Sequence, residues 1–388
     1  MKILGIETSC DETAVTLIDA SGAFGDNFKF DILGNALFSQ ASLHAEYGGV
    51  FPNLAKREHS KNLIPLLREV LRQSGDMEQG GKADLAVIAN DLKTILHREP
   101  ELLEAISGFA IESGKPDVDA IAVTVGPGLE PALWVGINCA RALARLWNVP
   151  IVAVNHMEGH ILISMMDLGL QRHVDFPSLA LLISGGHTEL VLSRAFGSYE
   201  VIGETRDDAA GEAFDKVARL LELPYPGGPE VSRLAAEARE HNLSHHIAFT
   251  RPMLRDGTYD FSFSGLKTAV RTVVEQRRPL TDELKRIIAR EFEDTVSDVL
   301  VHKTLRAVDE YGAQTVIVGG GVSANTHIRR ELSEALAQAG HPAQLLLPPP
   351  ELATDNAIMI AIAGYFHATK GTFADPETLV ASGQLRLS

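Results

Sequence analysis

Two histidines in the stretch 154–165, VNHMEGHILISM, have the spacing of metal ligands. His156 and His160 are four residues apart, so on a helix they share a face and can reach one ion. Glu158 lies about 200° around such a helix from His156 and points away from that ion. Zinc peptidase motifs place glutamate directly after the first histidine or directly before the second. The stretch is therefore half of a metal site without a peptidase base, or a helix start whose histidines only cap it or form hydrogen bonds.

A third ligand would favour the metal, and a carboxylate is the usual complement of two imidazoles. Asp355 is the best candidate, because it opens an apolar helix, ATDNAIMIA, just after a proline-rich loop. An acidic residue at that place is also a common helix N-cap. The residues alone leave both roles of Asp355 open.

Three glycine turns adjoin strand-like residues: ISGGHTE (183–189), YPGGPE (225–230) and VGGGVSANT (318–326). Glycine lets the backbone approach a ligand closely, and free N–H groups suit phosphate. None of the turns matches the P-loop or the dinucleotide-binding pattern. The three turns therefore favour a nucleotide site that differs from both of these known types.

Length and charge limit the function classes. A chain of 388 residues, 45% apolar and 22% charged, fits a globular enzyme of two domains or two halves. The net charge of −16 argues against broad nonspecific binding of nucleic acid, but a local basic groove stays compatible with it. No apolar run is long enough for a bilayer, and Cys10 and Cys139 give no disulfide framework. We expect a cytoplasmic protein with no membrane partner.

The order of elements predicts an α/β fold. KILGIETS with TAVTLIDA, and later PSLALLIS with TELVLSRA, each predict two strands joined by a polar turn. This self-similarity suggests two related halves, although strand hairpins are common. Residues 77–117 have helical periodicity, with Leu85, Ile88, Leu92 and Ile95–Leu96 on one face, and read as a helical insertion that serves packing or a partner.

Nine motifs in chain order closely resemble one family. They are ILGIETSCDETAVTLID, LHAEYGGVFPNLAKREH, VGPGL, VNHMEGH, LLISGGHTEL, DDAAGEAFDKVARLL with YPGGP, FSFSGLKTAV, VGGGVSAN and TDNAIMIA. The family is the tRNA threonylcarbamoyladenosine transferases of the TsaD type, once described as sialoglycoprotein endopeptidases. The resemblance runs from residue 2 to about residue 365 and is interrupted mainly by 77–117.

The resemblance implies an actin-like ATPase fold, related to hexokinase and Hsp70, with two duplicated halves and a central cleft. The expected halves are 1–175 and 176–388, with the last helix able to pack back on the first half. It also implies an acyltransferase that moves threonylcarbamoyl from L-threonylcarbamoyl-adenylate to N6 of adenosine 37 in tRNAs reading codons that start with A, releasing AMP. The implied partners are the tRNA anticodon loop, a paralogous actin-like subunit and a small ATPase.

The family's functional positions carry over by motif. The metal ligands fall on His156, His160 and Asp355, for one divalent ion per subunit, with Fe²⁺ favoured and Zn²⁺ as the alternative. The substrate-binding positions fall on Leu182, Ile183, Ser184, Gly185, Gly186, Asp215, Gly228 and Asn325. The transfer also needs a proton acceptor, for which Asp11 and Glu12 in the first polar turn are the candidates. Cys10 beside them is expected to be a small turn residue.

Several features keep other interpretations open. Asn53, Lys56 and Glu130–Pro131 depart from the usual family residues, which puts the tRNA or partner surface in doubt. The alternative functions are a metal-dependent peptidase and an ATP-binding actin-like kinase or ATPase. The candidate cations for the tRNA backbone are Lys56, Arg57, Lys61, Arg251, Arg255, Lys267, Arg271, Arg277, Arg278, Lys285 and Arg286.

Overall fold

A computed structural model describes residues 1–76, 85–167, 169–243 and 246–388. The chain forms two compact units. The first unit contains residues 1–41, 50–173 and 355–387, and the second contains 42–49, 174–354 and the final residue. The chain passes from the first unit to the second between residues 173 and 174, and the last helix with its flanks lies in the first unit.

The first unit is built on a mixed sheet with strand order β5-β4-β1-β2-β3-β7-β6. Its strands are β1 (Lys2–Glu7), β2 (Glu12–Ser21), β3 (Lys29–Ser39), β4 (Ala120–Gly126), β5 (Ile151–Asn155), β6 (Met166–Asp167) and β7 (Leu170–Gln171). The helices, numbered along the whole chain, are α2 (Pro52–Ser74), α3 (Leu85–Ile95), α4 (Pro100–Glu112), α5 (Glu130–Trp147), α6 (His156–Ser164) and α12 (Ala357–Thr369). A short helix, α1 (Ala41–Ala45), lies where the chain passes to the second unit.

Helix α12 covers one face of this sheet. Its sequence, AIMIAIAGYFHAT, is apolar on all sides and almost entirely buried, as expected of a central helix. It approaches β1 so closely that a Cβ at Gly5 would lie 2.4 Å from the carbonyl oxygen of Ala357. The alternate residues Leu4 and Ile6 pack into the core formed with α2 and α5. Strand β1 is therefore buried on both faces, which explains its nearly continuous apolar sequence.

The second unit is built on a sheet with strand order β10-β9-β8-β11-β12. Its strands are β8 (Ser178–Ile183), β9 (Thr188–Ala195), β10 (Ser198–Glu204), β11 (Thr315–Gly319) and β12 (Gln344–Leu346). Its helices are α7 (Ala210–Leu220), α8 (Gly227–Glu240), α9 (Ser264–Gln276), α10 (Asp282–Tyr311) and α11 (Thr326–Gln338).

The two sheets share one connectivity. Strand β1 pairs antiparallel with β2 and parallel with β4, and β3 and β5 extend the two sides. Strand β8 pairs antiparallel with β9 and parallel with β11, and β10 and β12 extend the two sides in the same way. Both predicted hairpins are confirmed. The repeated order is the topology expected of a duplicated α/β fold.

The described part of the predicted insertion belongs to the core of the first unit. Residues 77–84 lie outside the described residues. Ile88, Leu92 and Leu96 from the predicted apolar face are buried, as are Ile106 and Phe109 of α4. These helices therefore serve packing. Among the described residues, no helix combines the length and apolar character that a bilayer span requires.

Candidate functional site

The first unit brings together the two histidines and the aspartate that sequence spacing singled out. Helix α6 begins at His156, and its N-cap Asn155 accepts hydrogen bonds from the N–H groups of the first turn. Nε2 of His160 lies 3.1 Å, and Nε2 of His156 lies 3.4 Å, from Oδ1 of Asp355. One ligand atom from each of the three residues lies within 4.8 Å of the others. The histidine rings are nearly perpendicular, with centroids 4.7 Å apart.

Asp355 is free to act as a ligand because its neighbour caps the helix. The N-cap of α12 is Asn356, whose side chain accepts the Met359 N–H at 3.0 Å. The two roles that the sequence left open for position 355 are thus divided between adjacent residues. Asp355 turns its carboxylate toward the histidines instead.

The chemistry of this donor set fits a divalent cation. Burial favours the neutral form of Asp355, but the charge of His156 and its hydrogen bond lower the pKa of the carboxyl well below its usual range. Burial lowers the pKa of His160, so this imidazole is neutral. A carboxylate with two imidazole nitrogens directed at one of its oxygens is a His–His–Asp set that iron and zinc both accept.

Glu158 lies outside this cluster. Its Oε2 accepts a hydrogen bond of 2.7 Å from Nε2 of His367 on α12. The structure agrees with the helix geometry, which directs Glu158 away from the histidine pair. The carboxylate ties α6 to α12, and the position of a zinc peptidase base is not filled by this residue.

A second carboxyl group, which was not among the predicted site residues, lies beside the histidines. Glu7, the last residue of β1, is fully buried. Its Oε2 lies 3.0 Å from Nδ1 of His156 and accepts the Thr124 hydroxyl at 2.6 Å. The signal that could have revealed it is a lone acidic residue ending the apolar run KILGIE, because an unpaired buried carboxylate is costly.

The polar turn that contains Asp11 and Glu12 follows Glu7 in the same unit. The backbone oxygen of Cys10 lies 3.0 Å from Nε2 of buried His59, and the oxygen of Asp11 accepts the Gln40 N–H at 2.9 Å. Burial and the neighbouring Asp11 raise the pKa of Glu12 to about 9. Burial also raises the pKa of the Cys10 thiol, so it is a neutral turn residue rather than a thiolate.

Replacing Glu12 by glutamine is expected to remove a pH-dependent loss of stability. The pKa of Glu12 is about 9 in the folded chain against a usual value of 4.5, so its stabilising contribution is complete below about pH 4.5 and is lost as the pH rises toward 9. Glutamine mimics the neutral acid. The melting temperature of the variant relative to wild type should therefore increase from pH 5 to pH 9, since each tenfold change in acidity is worth about 1.4 kcal/mol.

This prediction is checked by thermal unfolding of the metal-free proteins across that pH range. Glu101→Gln, at an exposed site, controls for the loss of one negative charge. A difference between Glu12→Gln and wild type that stays constant from pH 5 to pH 9 would contradict the shifted pKa.

The first glycine turn of the second unit lies between β8 and β9. Leu182 and Ile183 are fully buried, so of the predicted substrate residues these two can offer a ligand only their main chain. The Ser184 hydroxyl accepts the His187 N–H at 3.0 Å and shapes the turn. Gly185 and Gly186 are exposed, and a Cβ on either would meet no atom within 4 Å. A ligand can therefore approach the backbone of this turn closely.

The backbones of two other elements pack against this turn. Gly211, in the first turn of α7, donates its N–H to the Ser184 oxygen at 3.1 Å. Gly320, after β11, has φ +86°, and a Cβ there would lie 2.5 Å from the Ile183 oxygen. Both glycines are required by close backbone approach. The start of α7 and the loop before α11 therefore lie beside the end of β8.

Asp215 and Asn325 serve structural hydrogen bonds. Oδ1 of Asp215 accepts the Gly227 N–H at 2.8 Å, in the wall of a cavity of about 140 Å³ that Arg219 and Tyr225 also line. Gly228 beside it has open space at its Cα. The Asn325 side chain caps α11 through its oxygen and donates from Nδ2 to Ser232 and Glu293.

Three residues of the second unit lie at helix N-termini. Gly211 is the second residue of α7, and of the predicted substrate residues Gly228 is the second residue of α8 and Asn325 is the N-cap of α11. Helix N-termini present free N–H groups and a partial positive charge, which suit phosphate. The nucleotide site that the glycine turns indicate stays a prediction.

Solved structures with a similar fold come from other proteins. Full-length HypF in the phosphate- and nucleotide-bound form matches with a TM-score of 0.52 and 12% identity over 96% of this chain and 56% of that chain. HypF from T. kodakarensis matches with a TM-score of 0.50 and 13% identity over 72% of this chain and 45% of that chain. This chain spans about half the length of the HypF chains, and at this identity the likeness concerns the fold alone.

A further match is YeaZ from Pseudomonas aeruginosa, with 12% identity over 98% of this chain and all of that chain. Its TM-score of 0.36 is too low to support a conclusion. The HypF matches and the repeated sheet topology show the α/β fold of the actin-like ATPase class.

A family model described as TsaD, tRNA N6-adenosine threonylcarbamoyltransferase, matches residues 31–89 and 101–362. The unmatched gap, 90–100, is much shorter than the insertion predicted at 77–117. The match includes both histidines and the aspartate of the metal cluster, together with the glycine turns of the second unit. The chain therefore belongs to the TsaD family of tRNA N6-adenosine threonylcarbamoyltransferases.

Proposed function

We propose that this protein transfers the threonylcarbamoyl group of L-threonylcarbamoyl-adenylate to N6 of adenosine 37 in tRNAs that read codons starting with A. The observation that carries the proposal is the His156–His160–Asp355 cluster inside a chain of the TsaD family. In the transfer, N6 attacks the carbamoyl carbon, the new C–N bond forms and the bond to the phosphate oxygen breaks. AMP leaves, and N6 gives up a proton.

Residues of the second unit are assigned to the adenylate. The N–H groups of Gly185 and Gly186 and the three helix N-termini are suited to its phosphate. The main chain of Leu182 and Ile183, the Ser184 turn, Asp215, Gly228 and Asn325 complete the proposed set. Because Asp215 and Asn325 already form hydrogen bonds with the protein, we assign them the shaping of the site rather than the main contacts.

The metal cluster and the first polar turn are assigned to activation. His156, His160 and Asp355 would hold one divalent ion, with Fe²⁺ favoured and Zn²⁺ as the alternative. When bound, this ion would supply Lewis acidity toward an oxygen of the acyl donor. We assign proton acceptance to the Asp11 carboxylate, because the raised pKa of Glu12 keeps its proton on at neutral pH and makes it a donor.

The proposed function is tested with purified metal-loaded protein, a paralogous actin-like subunit and a small ATPase. The mixture receives threonylcarbamoyl-adenylate and unmodified tRNA, and nucleoside mass spectrometry measures threonylcarbamoyladenosine. We expect product only when all components are present. Absence of product would refute the proposal, whereas His160-dependent cleavage of a glycoprotein or ATP-dependent phosphorylation of a sugar would favour one of the alternative functions.

The basic residues proposed for tRNA binding differ in whether they form ion pairs within the protein. Seven of the eleven candidates form ion pairs with acidic residues, among them Lys56 with Glu99 and Arg286 with Glu237. Within the described part of the chain, Arg255, Lys267, Arg277 and Arg278 have no ion pair. With a net charge of −16, unpaired cations are the best candidates for phosphate contacts, and partner subunits are expected to supply more.

Replacing both Arg277 and Arg278 by glutamine is expected to weaken tRNA binding by about tenfold and to reduce its salt dependence. Two lost phosphate contacts should lower the slope of log affinity against log salt by about 1.4 to 1.8. Fluorescence anisotropy with labelled tRNA at several salt concentrations measures both effects. Arg233→Gln is the control, because Arg233 is similarly exposed but is paired with Glu230 and Glu237. An unchanged slope would show that Arg277 and Arg278 do not contact tRNA phosphates.

The remaining assignments rest on the family and the cysteine usage. Both Cys10 and Cys139 are free thiols, which agrees with the proposed cytoplasmic location. The paralogous subunit and the small ATPase are proposed as partners because the chain belongs to the TsaD family.

A further inference from the structure

Glu7 has three hydrogen-bond partners, and one of them is a proposed metal ligand. Its Oε1 accepts the Ser9 N–H at 2.5 Å, and its Oε2 accepts the Thr124 hydroxyl at 2.6 Å. Oε2 also lies 3.0 Å from Nδ1 of His156. The Ser9 N–H and the Thr124 hydroxyl donate to the two carboxyl oxygens, and the ring nitrogen of His156 completes the set of contacts.

Glu7 is fully buried, and a carboxyl group in the interior is costly unless its oxygens are hydrogen-bonded. The Ser9 N–H, the Thr124 hydroxyl and the ring of His156 together supply these contacts.

The two histidines differ in this respect. Nδ1 of His156 faces Glu7, with the Ser9 hydroxyl 3.3 Å away. Nδ1 of His160 is buried and has no hydrogen-bond partner among the described residues. The ring of His156 thus has a carboxyl group and a hydroxyl group at Nδ1, whereas the Nδ1 side of the His160 ring has no such contact.

We propose that Glu7 is a positioning residue that keeps the proton of His156 on Nδ1 and directs Nε2 toward the metal. The inference rests on the proposed metal centre. A carboxylate behind a histidine ligand also makes the imidazole a stronger donor. Strand β1 ends at Glu7, so the sheet of the first unit positions the ring of His156 through this contact, next to the contact with the Ser9 hydroxyl.

The test compares metal affinity in Glu7→Gln and wild type. Glutamine removes the charge and places an N–H₂ group among donors, so Zn²⁺ and Co²⁺ should bind about 10 to 100 times more weakly. Competition with a chromophoric chelator measures the affinity, and the visible absorption of bound Co²⁺ reports the ligand geometry. The matched control is Glu158→Gln. Glu158 is also a buried glutamate in contact with a histidine, but that histidine is His367, which is not a proposed metal ligand. The control should bind metal like wild type.

If wild type binds no divalent ion, the proposed metal centre is refuted. If wild type and Glu7→Gln bind the ion with equal affinity, the role of Glu7 is refuted, whereas the proposed metal centre is supported. Should Glu7→Gln not fold, nitrogen-15 NMR of the histidines in Zn²⁺-loaded wild type provides an independent measurement. It should show His156 protonated at Nδ1 and metal-bound at Nε2. The reverse assignment would overturn the proposal.

Discussion

Replacing His160 by alanine is expected to abolish stable metal binding and to lower the rate of threonylcarbamoyladenosine formation about a thousandfold. The side chain is fully buried and places Nε2 3.1 Å from Asp355, so its removal leaves one imidazole and one carboxylate. A bound metal contributes several kcal/mol to the stabilisation of developing charge, and about 4 kcal/mol corresponds to about a thousandfold in rate. Metal content and the nucleoside assay measure the two effects.

The control for this variant is His367→Ala. His367 lies on α12 and binds Glu158, so its loss removes a histidine close to α6 without touching the cluster. That variant should retain metal and most activity. Circular dichroism must show that His160→Ala is folded. Undiminished product from folded, metal-free His160→Ala would refute the assigned role of the cluster.

Replacing Glu293 by alanine is expected to lower the free energy of unfolding by about 1–3 kcal/mol, because Arg239 and Asn325 both lose a buried hydrogen-bond acceptor, although Arg239 keeps its ion pair with Asp294. Glu293 is buried on α10 and bonds Nη1 of Arg239 at 2.6 Å. Its other oxygen accepts Nδ2 of Asn325 at 2.8 Å. The loss should therefore also loosen the cap of α11 and weaken AMP binding. Urea unfolding followed by circular dichroism measures the stability, and calorimetric titration with AMP measures the binding.

The comparison is with Glu237→Ala on α8. Glu237 also forms ion pairs with two arginines, Arg233 and Arg286, but its side chain is 28% exposed. Exposed pairs contribute about 0–1 kcal/mol, so this variant should stay close to wild type. If both substitutions lowered the free energy of unfolding equally, the burial of Glu293 would not explain its contribution to stability.

The sequence predicted the parts of the site that follow from local geometry. The spacing of His156 and His160 requires only the helical period, and the direction of Glu158 follows from the same period. The strands and their glycine turns follow from apolar runs and polar interruptions. The fold, the shared face of the two histidines and the glycine turns could therefore be expected once the motifs were placed on elements, and the metal and nucleotide that they would bind stay predictions.

Other features depend on contacts that one sequence does not display. Glu7 ends an apolar strand, and only the folded sheet shows that His156 is its partner. Asn325 is named by its motif, yet the structure shows its side chain fully engaged with α11, Ser232 and Glu293. The role of each residue is decided by neighbours distant in sequence, which residue type and spacing do not specify.

The position of Asp355 has a consequence for the growing chain. It follows His160 by 195 residues, although both belong to the first unit. At about 5–20 residues per second, a ribosome needs about 10–40 s to add that stretch. During this interval the histidines have emerged without their carboxylate. The three proposed ligands can therefore come together only after the second unit has been synthesised, and a chain terminated before residue 355 lacks one of them.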